Sequence, residues 1–212
     1  MFTGIIQEVG TIAEILESET GKTFTVKASK ILHNKKIGDS IAINGACMTI
    51  TTLSDTQFTF DCIHESLKKT NLNQLHQESK INMEGSLTLD KGIDGHLVQG
   101  HVDFTAPIKT LEIKENGDTT LTISLPSEYQ KFIALKGSIT INGVSLTISH
   151  LESDSFQVSL IPHTLAETNL SDLETGSIVN IEIDLISRYL DRLLQDKAQE
   201  STYQFLRERN LI

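Results

Sequence analysis

The chain of 212 residues carries 28 acidic against 18 basic side chains, a formal net charge of −10, which offers no footprint for nucleic acid or an anionic membrane surface. No apolar run approaches the ~20 residues of a membrane-spanning helix, and the opening Met1-Phe2-Thr3-Gly4-Ile5-Ile6 lacks the basic region of a secretion signal. Two cysteines, Cys47 and Cys62, do not make a disulfide framework in a chain this long, so a soluble cytoplasmic protein with reduced thiols is expected.

Short strand-like runs dominate residues 1–90: Phe2–Val9, Thr23–Ala28, Ser40–Ile43, Cys47–Leu53, Gln57–Cys62 and Lys80–Met83. Turn signals such as Glu19-Thr20-Gly21, Asn34, Gly38-Asp39 and Ser54-Asp55 separate them. This pattern predicts a small antiparallel barrel. Six strands enclose no ligand-sized lumen, so side chains fill the interior and a ligand sits outside, in a shallow site. A more helical piece follows, Ile63-His64-Glu65-Ser66-Leu67-Lys68-Lys69-Thr70-Asn71-Leu72.

Glycines and charges around Lys91-Gly92-Ile93-Asp94-Gly95 mark a linker, after which the chain repeats itself. Ser138-Ile139-Thr140-Ile141-Asn142-Gly143-Val144-Ser145-Leu146-Thr147-Ile148 matches Ser40-Ile41-Ala42-Ile43-Asn44-Gly45-Ala46-Cys47-Met48-Thr49-Ile50 at seven of eleven positions, 98 residues on. Each copy reads as strand, Asn-Gly turn of type I′, strand. After the turn, Val144, Leu146 and Ile148 share one face while Ser145, Thr147 and Ser149 share the other, as Ala46, Met48 and Ile50 oppose Cys47, Thr49 and Thr51. The apolar face suits a core and leaves a row of hydroxyl and thiol groups free. Ile161–Leu170 matches Ile63–Leu72 at five of ten positions, Leu97–Val102 stands where Met1–Ile6 stood, and Val179–Glu182 matches Ile81–Glu84. The period exceeds the roughly 20–50 residues of a solenoid. The organisation is therefore two homologous six-stranded barrels, residues 1–90 and 97–184, each with its own core.

Residues 185–212 have no counterpart in the first half. Ile186, Tyr189, Leu190, Leu193 and Leu194 recur at helical spacing opposite Arg188, Asp191, Arg192, Gln195 and Asp196. Such a helix either packs on its own domain or joins chains. The barrels are complete without it, which favours the second.

The sequence has no Gly-x-x-x-x-Gly-Lys phosphate loop, no Gly-x-Gly-x-x-Gly and no Cys-x-x-Cys pair. His96 and His101 lie five apart in a strand-like run with no cluster of thiols or carboxylates, so no metal site is expected. Taken singly, each histidine is more often a satisfied surface or core residue than a catalyst. The halves differ at reactive positions: Ser145 replaces Cys47, and His101 replaces Ile5. Two such sites fit one ligand in two roles, or drift between duplicated halves. Cys62 matches Leu160 in an apolar run and reads as a core thiol. Lys136 is either a solubilising side chain or an anion contact. Asp184 caps the helix or serves acid–base or orienting work.

The ordered set Met1-Phe2-Thr3-Gly4-Ile5, Asn44–Thr49, Gly95-His96-Leu97-Val98-Gln99-Gly100-His101-Val102-Asp103 and Asn142–Thr147 resembles the riboflavin synthases of the α-chain type, over essentially the whole chain. Met48, Gln99 and Ser66 stand where that family commonly has leucine, serine and threonine. The resemblance implies a homotrimer of chains with two Greek-key barrels each, tied by the C-terminal helices. It implies a transferase of riboflavin biosynthesis that turns two molecules of 6,7-dimethyl-8-ribityllumazine into riboflavin and 5-amino-6-ribitylamino-uracil by moving a four-carbon unit, with no cofactor and no metal. The active site would form between the N-terminal barrel of one subunit and the C-terminal barrel of another. One lumazine would be bound by Gly4, Ile5, Ile6, Cys47, Met48, Thr49, Asp61, Cys62, Ile63, His64, Glu65 and Ser66. The other would be bound by Gly100, His101, Val102, Lys136, Ser145, Leu146, Thr147, Ile161, Pro162, His163, Thr164, Leu165 and Ala166. Cys47, His101, Ser145, Thr147 and Asp184 are the expected catalytic groups. The related lumazine-binding antenna proteins, which hold a chromophore without turning it over, are the alternative.

Overall fold

The computed structural model describes residues 1–113 and 117–208, with side chains at 196–206 and 208 outside the description. The first half contains β1 (Glu8–Ser18), β2 (Gly21–Lys27), β3 (Ser40–Ile43), β4 (Ala46–Leu53), β5 (Gln57–Ile63), α1 (His64–Lys69) and β6 (Lys80–Gly85). The second contains β7 (Phe104–Ile113), β8 (Thr119–Ser124), β9 (Ser138–Ile141), β10 (Val144–Leu151), β11 (Ser155–Leu160), α2 (Pro162–Glu167) and β12 (Ile178–Ile183), and α3 (Leu185–Glu208) follows. Each set of six strands closes into an antiparallel barrel of the same plan, β1-β2-β5-β4-β3-β6 and β7-β8-β11-β10-β9-β12. Matching bulges between Ile50 and Thr52 and between Ile148 and His150 bend β4 and β10 at equivalent points.

Side chains fill both interiors, as the strand count requires. Ile12, Phe24, Phe58, Phe60, Ile81 and Met83 are fully buried in the first barrel, with Phe24 and Phe60 stacked at 5.0 Å. Ile139, Ile141, Phe156, Val158, Val179 and Ile181 do the same in the second. Each such side chain contributes about 1.5–3 kcal/mol by leaving water.

The Asn-Gly turns are of the expected type, with positive φ at both positions: 45° and 81° at Asn44 and Gly45, 46° and 80° at Asn142 and Gly143. They also join the barrels. A Cβ on either glycine would stand 2.7 Å from the backbone nitrogen of the other, so the turns meet about a pseudo-two-fold axis where no side chain fits. Buried asparagines fasten this contact. Asn82 Nδ2 donates to Asn142 O at 3.0 Å, and Asn180 Nδ2 donates to Asn44 O at 2.8 Å. Asn71 Nδ2 reaches Asn142 Oδ1 at 3.0 Å and Asn169 Nδ2 reaches Asn44 Oδ1 at 3.1 Å. Losing one such partner strands a buried amide at a cost of about 1–3 kcal/mol.

One strand boundary differs from the sequence reading. The expected first strand Phe2–Val9 is not part of the barrel wall, which begins at Glu8 and runs to Ser18. Gly4 adopts φ +78°, which breaks the extended run, and the N–H groups of Thr3 and Gly4 donate to the Glu84 carboxylate instead of to a strand. The second half behaves alike: residues 97–103 precede its first strand.

Asp184 caps α3, its Oδ1 accepting from Ile186 N at 2.9 Å. Arg188 pairs with the largely buried Asp103, and Lys131 Nζ with Asp191 Oδ2 at 2.7 Å, so the first turns of α3 rest on the second barrel. Ile186, Tyr189, Leu190, Leu193 and Leu194 stay between 54% and 64% exposed. No described helix is long and apolar enough to cross a membrane.

Candidate active site

The leading segments of the two halves cross. Phe2 N donates to Val98 O at 2.7 Å and Val98 N to Phe2 O at 3.1 Å, with Phe2 and Val98 buried beside Ala42. Beyond this crossing each segment lies on the other half's barrel. Cys47 N on β4 donates to Gly100 O at 2.8 Å, and Ser145 N on β10 donates to Gly4 O at 2.7 Å. Glycine is required at both contacts: φ is +83° at Gly100 and +78° at Gly4, and a Cβ would stand 2.6 Å from the Cβ of Cys47 or of Ser145. A buried carboxylate on each last barrel strand anchors each segment. Glu84 on β6 accepts from Thr3 N and Oγ1, both at 2.7 Å, and from Gly4 N at 2.9 Å. Glu182 on β12 accepts from Gln99 N at 2.7 Å and from Gly100 N and His101 N, both at 2.9 Å. Burial raises both carboxyls despite these donors, Glu182 to about 7.

Two clefts result, of about 270 and 280 Å³. The first lies between Ala46, Cys47 and Met48 of β4, the Ile63–Thr70 region around α1, and Gly100, His101 and Val102. The second lies between Val144 and Ser145 of β10, the His163–Thr168 face of α2, and Gly4, Ile5 and Ile6. They correspond under the internal repeat, except that the counterparts of Met48 and Ile63 do not line the second, and they share no lining residue. A third groove, at the asparagine contact, includes Asn44, Asn71, Asn142 and Asn169, whose side chains are already committed to joining the barrels.

This overturns the grouping expected from sequence, which placed Gly4–Ile6 with Cys47 and Ser66, and Gly100–Val102 with Ser145 and Thr164. The segments are exchanged because Phe2 and Val98 pair with each other. A sequence offset is the same whether a segment serves its own barrel or its neighbour's.

Other expected site residues stand as follows. Cys62 is 2% exposed inside the first barrel, and burial pushes its thiol up to about 11, so its side chain serves the core and no ligand. Leu146 and Leu165 pack against the second core. Asp61 accepts from Thr23 Oγ1 at 2.6 Å, and the His64 Nε2 stands 3.1 Å from Glu19 O. Thr49, Thr147, Lys136, Ile161, Pro162 and Ala166 are exposed and outside the cleft linings, except that Ile63, the counterpart of Ile161, does line the first. Lys136 holds φ +66° while its N–H donates to Ile148 O at 2.9 Å.

The walls differ in chemistry. In the first cleft, half-exposed Cys47 is accompanied by the imidazole of His101, and Glu65 and Lys69 form an ion pair at 2.9 Å at the mouth. In the second, Ile5 and His163 replace His101 and Glu65, and Glu167 replaces Lys69. Ser145 Oγ lies 2.7 Å from His96 Nδ1. Burial holds His96 below the usual imidazole range, against the opposing pull of the Asp184 charge. A neutral ring can take the serine proton at Nδ1. Sequence reasoning weighed His96 only as a metal ligand or lone histidine. It also passed over Glu84 and Glu182, although a glutamate at the same place in two matching strands was visible in the repeat.

A family model described as the lumazine binding domain matches the chain twice, over residues 3–86 and 99–184. The chain is 45% identical over 208 residues to riboflavin synthase of Bacillus amyloliquefaciens, covering 98% of this chain and 96% of that protein. It is 44% identical over 204 residues to riboflavin synthase of Bacillus subtilis (strain 168), covering 96% and 94%. The crystal structure of LumP complexed with 6,7-dimethyl-8-(1'-D-ribityl) lumazine aligns at a TM-score of 0.78 and 26% identity, covering 86% of this chain and 99% of that chain. With the family model and the curated relatives spanning both barrels, the chain belongs to the riboflavin synthase family.

Proposed function

We propose that the two clefts are the two lumazine sites of the riboflavin synthase reaction. Two molecules of 6,7-dimethyl-8-ribityllumazine react. One gives up a four-carbon unit and leaves as 5-amino-6-ribitylamino-uracil; the other receives it and becomes riboflavin. The observation that carries this reading is a pair of clefts with one plan and unequal reactive groups, Cys47 with His101 and Ser145 with His96. That is the arrangement one substrate in two roles calls for. The carbonyls of Ile5 and His101 and the backbone of Ile6 and Val102, which the crossing and anchoring bonds do not take, offer donors and acceptors to the flat heterocycle without filling the space it needs. A base must take a proton from the 7-methyl of one lumazine and a nucleophile must add to the other. His101 and Cys47 serve these steps in one cleft, Ser145 backed by His96 in the other, with Asp184 holding charge near His96. Positioning two reactants supplies up to about 7–11 kcal/mol of the barrier. No cofactor or metal enters this scheme.

The same reading makes the active enzyme a homotrimer. Clefts without a shared wall, near the small end of ligand pockets, cannot bring two lumazines together in one chain unless they face clefts of other copies. Thr49 and Thr147 lie beyond the cleft walls on the same strand faces as Cys47 and Ser145, where a second chain would reach them. The apolar stripe of α3 provides the joint. Reduced Cys47 and Cys62 suit a cytoplasmic location.

Incubation of the purified chain with dimethylribityllumazine and a strong chelator tests the reading. Riboflavin and the uracil product should appear in equal amounts. Tight binding without turnover would move the chain to the antenna class, and a chelator-sensitive rate would contradict the metal-free scheme. Truncation after Asp184 should yield a product that no longer sediments as a trimer and has lost most activity; an active, intact trimer would reduce α3 to local packing.

A further inference from the structure

The segment that brings His101 into the first cleft is fastened along its whole length to one junction, the end of β12 and the start of α3. At one end the Glu182 carboxylate receives three successive N–H groups, from Gln99, Gly100 and His101. At the other, Asp103 N donates to Ile181 O at 2.8 Å, Asp103 Oδ2 accepts from Ile183 N at 2.8 Å, and Arg188 of α3 pairs with Oδ1. Val102 alone lies between these two grips, and it lines the cleft together with Gly100 and His101 of the first grip. Glu182 itself is 3% exposed and does not line the cleft; its carboxylate meets the lining through the N–H groups of Gly100 and His101.

We propose that Glu182 is the positioning residue for His101: its carboxylate fixes where the imidazole stands relative to Cys47, without touching substrate. A carboxylate accepts from all three N–H groups because both oxygens are acceptors. A glutamine keeps one acceptor oxygen and turns an NH₂ group toward a backbone donor, so the segment must shift at Gln99 or at His101. Misplacement by about 1 Å is enough to cost roughly 10²-fold in rate. The inference rests on His101 standing among the reacting groups, and its test separates the two.

The experiment is a double-mutant cycle on the full chain, reading kcat and KM for dimethylribityllumazine in the parent, E182Q, H101Q and E182Q/H101Q. If Glu182 acts through His101, E182Q lowers kcat about 10²-fold with little change in KM, and the double variant is no slower than H101Q. E182D keeps the charge with a shorter reach and should recover part of the loss. A factor from E182Q that is the same in the H101Q background as in the parent would overturn the proposal, making Glu182 a general support of the barrel. Failure of both E182Q and E182D to fold would overturn it in the same sense. H101Q at the parent rate would refute the role of His101 itself and this inference with it, whereas a slow H101Q with additive behaviour refutes only the inference.

Discussion

Cys47 and Ser145 occupy the same place in two clefts of one plan, yet one shares its cleft with an imidazole on the exchanged segment and the other has an imidazole hydrogen-bonded behind it. The parts common to both clefts are those that hold geometry: the Asn-Gly turns, the asparagines between barrels, the glycine at each crossing and the glutamate that anchors each segment. The parts that differ are side chains on the walls, where a change costs the fold little because each is at least partly exposed. Duplication supplied two equal frames, and divergence at Cys47/Ser145, His101/Ile5, Glu65/His163 and Lys69/Glu167 gave them unequal chemistry.

Replacing a crossing glycine should break the comparison most severely. Gly100→Ala forces a Cβ to within 2.6 Å of the Cys47 Cβ at φ +83°, so the segment must leave β4. Riboflavin formation should fall by at least about 10²-fold, and ligand titration should show the first cleft emptied while the second still binds. Gly4→Ala should do the converse. A variant of either kind that keeps both ligands would show that the exchanged segments are not cleft walls.

The barrels, their number and strand count, the type I′ turns and the inward faces of β4 and β10 were all legible in the sequence, because period-two patterning and the 98-residue repeat are local or additive signals. The exchange of Phe2–Ile6 with Val98–Val102 was not. Both segments are apolar and strand-like, and the facts that move them, Gly4 and Gly100 at positive φ and Glu84 and Glu182 as distant acceptors, act across about 80 residues. For the same reason β1 was placed too early, and its true extent, Glu8–Ser18, was missed where Ala13-Glu14-Ile15-Leu16-Glu17 lacks strand alternation. The pairing of His96 with Ser145 spans 49 residues and was equally invisible.

A smaller effect separates the wall chemistries. Ser145→Ala removes the hydroxyl that His96 holds, and a lost polar contact of about 1–1.5 kcal/mol slows turnover about tenfold. His96→Gln should give a similar factor, and the pair together little more than either, since they act as one unit. Cys47→Ser should be milder still if the thiol only binds, and as severe as Ser145→Ala if it reacts. Single-turnover rates decide; additive losses at positions 96 and 145 would show that the hydrogen bond is incidental.

The remaining expectation concerns stability against pH rather than rate. Burial raises the Glu182 carboxyl from 4.5 to about 7, with the Asp103 charge adding to the rise; Arg188 pairs with Asp103, and His101 adjoins through its backbone. The folded state therefore holds that proton more tightly than the unfolded one. This contribution is full below pH ~4.5 and is lost as pH rises through about 7, up to about 3 kcal/mol. E182Q does not titrate, so chemical denaturation should find the parent's stability relative to E182Q higher at pH 5 than at pH 8. An unchanged difference would mean the carboxyl titrates as it does in water.

The exchange of segments is tested most directly by sedimentation of a fragment comprising residues 1–90 with one added ligand, riboflavin or its lumazine precursor. That fragment contains β1–β6 and Cys47 but lacks Gly100–Val102, while its own Gly4–Ile6, anchored by Glu84, is directed at a barrel it no longer has. The account predicts a dimer about a true two-fold axis, Gly4 of each copy crossing Cys47 of the other, with one ligand bound per chain. A monomer that binds the ligand as tightly as the intact chain would contradict it.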